Sequence, residues 1–83
     1  MARNLGNGRF GPSHRRVLKL LASAPRGRAD PKFIAMFAIE LFDLVEAGFV
    51  DTQAEAVRAG GQTIETVRVR ITAAGRAALA AED

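Results

Sequence analysis

The chain contains no cysteine, which excludes disulfides, thiol chemistry and thiolate metal sites. It has one histidine, too few for a histidine-based metal cluster, and no nucleophile stands out beside a base. We therefore expect no metal, no cofactor and no enzymatic activity. Its longest apolar run, Phe33 to Ile39, is seven residues, whereas a bilayer-spanning helix needs about 20. Met1 to Phe10 has no apolar stretch, so no secretory signal fits the start and a cytoplasmic location is expected.

What is present suits one small globular domain. The chain has 83 residues, 48% of them hydrophobic and 25% charged, which is neither a disordered nor a membrane composition. A domain of this size buries only about 60–65% of its unfolded surface. Its core must come from aliphatic side chains and five phenylalanines. The net charge is +3, but it is unevenly spread: residues 1–32 hold eight Lys/Arg against Asp30 alone. Residues 33–57 hold Glu40, Asp43, Glu46, Asp51 and Glu55 with no Lys or Arg, and residues 58–76 return four arginines against Glu65. Such a chain folds into a dipolar object whose basic end suits a polyanion or an acidic partner.

Residues 1–12, with Gly6, Gly8, Gly11 and Pro12, read as a flexible basic arm, and residues 13–83 as a single domain. The arm contains a literal G-x-G-x-x-G from Gly6 to Gly11. A dinucleotide site requires a strand before that motif and a βαβ unit around it; five residues precede it here, so the match is fortuitous. Ser13 is the expected N-cap of a helix running to about Ala24. Val17, Leu18, Leu20, Leu21 and Ala24 share one side of it, Arg15, Arg16, Lys19 and Ser23 the other, with His14 at the edge as a structural residue. A loop of Pro25, Arg26, Gly27 and Arg28 follows.

Asp30-Pro31 restarts helix as an N-cap and first-turn proline. No Gly, Pro, Asn or Ser interrupts the run to Ala47, and Gly48 is a natural stop. Taken as one helix, Phe33, Ile34, Phe37, Ala38, Leu41, Phe42, Leu44 and Val45 spread over half the circumference. Lys32, Glu40, Asp43 and Glu46 lie opposite, the carboxylates as a solvated face. Met36 and Ile39 fall within the polar half. Either a bend near residues 36–39 turns them inward, or they form an exposed apolar patch.

The clearest local signal follows Phe49. Val50–Val57 and Ile64–Thr72 flank Ala59-Gly60-Gly61-Gln62, and Gly-Gly suits a two-residue primed turn. One face then matches Val50 with Ile71, Thr52 with Val69 and Ala54 with Val67. The other matches Asp51 with Arg70, Gln53 with Arg68 and Val57 with Ile64. A slip by one residue would destroy both sets. Thr72 caps a short alanine-rich helix to about Ala81. The fold class expected is α+β: helices packed with a two-stranded antiparallel hairpin and a short C-terminal helix.

Two stretches carry a family likeness. Leu44-Val45-Glu46-Ala47-Gly48-Phe49-Val50 resembles the end of a recognition helix entering the first wing strand. Ile71-Thr72-Ala73-Ala74-Gly75-Arg76-Ala77-Ala78-Leu79 resembles the junction of the second wing strand with the last helix. Over residues 13–81 the chain is thus similar to winged helix-turn-helix domains of the MarR-like and PadR-like bacterial transcription regulators. The resemblance implies DNA binding, with the helix before the wing in the major groove. Only residues 29–47 are available for the two helices and turn of that motif, and positions 35–39 read Ala-Met-Phe-Ala-Ile. None can make the bidentate hydrogen bonds that distinguish bases. Affinity for DNA is accordingly expected from phosphate contacts by Arg9, Arg26, Arg28, Lys32, Arg58 and Arg68, while Arg70 engages Asp51. The alternative is a protein-interaction module that does not bind DNA, with Met36 and Ile39 in a homodimer interface.

Overall fold

The computed structural model describes residues 10–82. The chain forms a small α+β domain in the order α1 (Pro12–Ala22), α2 (Pro31–Met36), α3 (Ala38–Glu46), β1 (Val50–Ala59), β2 (Gln62–Ile71) and α4 (Ala73–Glu82). No helix among the described residues is long and apolar enough to cross a membrane. Arg9 and most of the glycine motif lie outside the described residues.

Packing starts earlier than the expected residue 13. Phe10 is buried, with its ring 5.1 Å from the His14 imidazole in an edge contact and 5.8 Å from the Phe49 ring. The N-cap of α1 is Gly11, not Ser13. Pro12 takes the first helical position, where a missing N–H costs nothing, and His14 accepts the Gly11 N–H on Nδ1 at 3.1 Å. This side chain reaching back to the cap is half of a capping box. The helix ends at Ala22 rather than Ala24, with the Ser23 hydroxyl donating to the Lys19 carbonyl at 3.1 Å. Val17, Leu18 and Leu21 are fully buried, while Leu20 sits at the margin of the stripe.

Residues 31–46 form two helices and not one. Asp30 caps α2 as expected, accepting the Lys32 N–H at 3.1 Å. Phe37 then leaves helical geometry at φ −111°, ψ 28°. It closes α2 by donating to the Phe33 carbonyl and opens α3 by accepting from Leu41, at 3.0 and 2.8 Å. Phe33 on α2 and Leu41 and Leu44 on α3 enter the core together across the bend. Phe42, which a continuous helix places on the core side, is 64% exposed, and Val45 is at the margin at 37%. Nineteen residues therefore do hold two helices and a turn, because both helices are short.

The hairpin has the expected register throughout, from Val50 opposite Ile71 to Ala59 opposite Gln62. Gly60 and Gly61 lie at φ +59° and +80°, the two positive angles a type I′ turn needs. Only its base is buried, at Val50 and Val69. Ala54, Val57, Ile64 and Val67 are exposed, because ten-residue strands extend well past the helices and give the molecule principal extents of 50 × 20 × 19 Å. Arg28 exchanges both backbone bonds with Val69 at 2.8 Å, a third strand one residue long. At the other end of β2 the Thr72 hydroxyl accepts the Gly75 N–H at 3.0 Å and donates to the Gly48 carbonyl at 2.7 Å. The expected cap is present, and it also ties α4 to the α3–β1 turn.

Candidate functional site

Three large apolar side chains stand out from the α2–α3 unit. Met36, Ile39 and Phe42 are 72%, 76% and 64% exposed. Ile39 and Phe42 are one turn apart on α3 and therefore adjacent; Met36 ends α2 just before the bend. Burying a side chain of this kind is worth roughly 1.5–3 kcal/mol, a gain the isolated domain forgoes at each of the three. Single exposed apolar residues are ordinary, whereas a contiguous group marks an interaction surface. Exposed Lys32 and Glu46 stand towards opposite ends of the unit. Beside the patch runs a groove of about 470 Å³ between the α2 side (Pro31, Ile34, Ala35, Ala38) and the Ile64–Val67 stretch of β2.

The basic residues divide into tied and open. Arg28 lies over the Phe33 ring, 4.2 Å from its centroid, and its Nη2 donates to Asp30 Oδ2 at 3.4 Å. Arg68 donates through Nε and Nη2 to both carboxylate oxygens of Glu55, at 2.8 and 3.3 Å, and through Nη1 to the Arg26 carbonyl at 3.3 Å. That guanidinium holds the Glu55 carboxyl below its ordinary pKa, and Glu55 in turn raises Arg68. Gln53 is opposite Arg68 in the register, as the sequence indicates, but the long side chain leans along the strand to Glu55. Arg70 reaches Asp51 at 3.9 Å. Arg26, Lys32 and Arg58 are exposed, and among the described residues none makes an ion pair. Arg58 pairs with Thr63 near the turn, and so stands roughly 17 Å along the strand from Arg68. The five candidate phosphate contacts among the described residues thus do not form one cluster.

One connection carried no signal in the sequence. His14 Nε2 lies 2.9 Å from Asp43 Oδ2. Because Nδ1 accepts the Gly11 N–H, the ring proton sits on Nε2 and is donated to Asp43. Both nitrogens are used, so His14 binds the start of α1 to α3 and has no free lone pair for a ligand. It also removes Asp43 from the solvated carboxylates. Among the described residues no group of three His, Asp or Glu is placed to hold a metal. Replacing His14 with alanine leaves the Gly11 N–H and the Asp43 carboxylate without these partners. The expected cost is roughly 1–3 kcal/mol, read from urea denaturation. A cycle with Asp43→Ala should be non-additive, and additivity would show that the pair is not coupled.

Comparison of this chain with protein-family models, with curated proteins and with solved structures found no match.

Proposed function

We propose that this chain is a winged-helix-like protein-interaction module that forms a homodimer through the exposed face of α2–α3. The observation that carries this reading is the exposure of Met36, Ile39 and Phe42 at intervals of three. In a winged-helix arrangement α3, directly before the hairpin, is the helix that would read bases, yet it presents hydrocarbon there. The pattern is self-complementary. Met36 and Phe42 lie three residues to either side of Ile39, and Lys32 and Glu46 seven residues to either side. A two-fold axis near Ile39 sets Met36 of one copy by Phe42 of the other and brings Lys32 towards Glu46. An isologous interface has this form.

DNA binding is the second reading, favoured by the exposed and unpaired Arg26, Lys32 and Arg58. It would rest on phosphate contacts with little base preference, and with about three such contacts log affinity would fall against log salt with a slope near −3. Measuring solution mass together with heparin retention separates the two. The dimer reading expects twice the 8.9 kDa chain mass, maintained from low to molar salt. A monomer retained on heparin and released by modest salt would overturn it in favour of DNA.

A further inference from the structure

We propose that the groove between α2 and β2 is a docking site for an extended polypeptide strand of a partner protein, one that adds to the open edge of β2. This goes beyond the dimer, whose contacts centre on Ile39. Beyond the hairpin, β2 makes a single bridge, between Val69 and Arg28. Val69 gives both its N–H and its carbonyl to Arg28, at 2.8 Å each. In an antiparallel strand these groups point to one side for one residue and to the other side for the next. Val67 and Glu65 therefore direct their backbone N–H and carbonyl to the same outer edge as Val69. No described segment of the chain pairs with them there: Arg28↔Val69 is the only bridge outside the hairpin among the described residues. The reason lies in the sequence. A strand continuing past Arg28 would run along β2 towards the turn, but Asp30-Pro31 starts α2 instead and carries the chain away.

The departing helix forms the opposite wall of the space it leaves. Pro31 and Ile34 make that wall apolar, and Ala35 and Ala38 keep it low, leaving about 470 Å³ over the open edge. Two features fix the chemistry of the occupant. A row of unpaired backbone donors and acceptors is met in full only by another extended backbone, with alternate side chains directed into the pockets beside it. The wall calls for small apolar side chains at those positions, and Glu65, the one charged residue lining the groove, calls for a lysine or arginine among them. The partner segment is thus an extended, apolar-alternating strand with one basic residue.

The test uses the full chain labelled for amide hydrogen exchange and, as probe, a blocked synthetic peptide alternating valine and threonine with one central lysine. At a peptide concentration about ten times Kd, exchange at the Glu65 and Val67 amides should slow about tenfold, with no protection along the outer edge of β1. Ala35→Arg, at an exposed helical position, should fill the groove and abolish the protection; Ala38→Arg provides a second block should the first variant melt early. Ile39→Lys should leave the protection intact, which separates this site from the dimer face. Absence of slowing at Glu65 and Val67, or slowing that survives both groove-filling variants, would overturn the proposal. So would protection that rises with protein concentration alone, since the occupant would then be a second copy of this chain.

Discussion

Replacing Gly75 with alanine is expected to destabilise the domain by about 2–4 kcal/mol. On helix propensity alone the sign would be the reverse, because alanine is favoured over glycine by roughly 1 kcal/mol inside a helix. The surroundings decide otherwise. A Cβ on Gly75 would lie 2.2 Å from the Phe49 carbonyl oxygen and 2.8 Å from Ile71 Cγ1. The oxygen has little freedom to retreat, since it accepts the Thr72 N–H at 3.0 Å, and the Thr72 hydroxyl is fixed between Gly48 and Gly75. Making room therefore means lifting α4 away from the β1 start and exposing Ala78 and Leu79, which pack on the core there. A domain of this length has about 4–12 kcal/mol in total, so the loss should lower the thermal midpoint by roughly 10–25 °C. Gly48→Ala is the control. Unlike Gly75 it has positive φ, at +82°, but nothing lies within 4 Å of the added carbon, so it should lose only about 1 kcal/mol, for backbone strain. A Gly75→Ala variant more stable than the parent would show that α4 does not pack this closely.

That clash also gives the glycine in Thr72-Ala73-Ala74-Gly75-Arg76 a physical reason, which a sequence pattern alone does not supply. The parts of the fold legible in the sequence are those with a local cause. Gly60-Gly61 and period-two alternation determine the hairpin and its register; Asp30-Pro31 and Thr72 mark helix starts that the structure contains. The parts that were not legible have distant causes. No residue between Pro31 and Ala47 is a helix breaker, so nothing local in the sequence marks the bend at Phe37. Phe10 lies in a glycine-rich polar stretch, and it is Phe49, 39 residues away, that holds its ring in the core. His14 and Asp43 are 29 residues apart, with nothing local to connect them. For the candidate surface the outcome was mixed. Met36 and Ile39 stand out as apolar residues in a polar arc and are exposed; Phe42, at the edge of the expected apolar half, is exposed with them.

Ile39→Lys is expected to convert the proposed dimer to a monomer without unfolding the chain. In the monomer the change is mild: Ile39 is 76% exposed, little burial is lost, and lysine is at least as good a helix former as isoleucine. Surface changes of this kind stay within about 0.5 kcal/mol. In the proposed dimer the two-fold axis would place both copies of the substitution close together, so two ammonium groups would be desolvated side by side in place of two hydrocarbon contacts. A central apolar position typically costs about 2 kcal/mol per copy, and two copies should weaken association about 1000-fold. Sedimentation velocity and a circular-dichroism melt on the same sample read both effects. A folded monomer is the expected result; an unfolded chain would mean that Ile39 belongs to the core, and an unchanged dimer that the interface lies elsewhere. The rim tests the proposed arrangement itself. Lys32→Glu should weaken the dimer by setting it against Glu46 of the other copy, as Glu46→Lys should by setting it against Lys32. The double exchange should recover affinity lost in either single variant, because an antiparallel pairing about Ile39 brings these two positions together. Recovery would not follow if the copies met in parallel, where each altered charge would face its own kind.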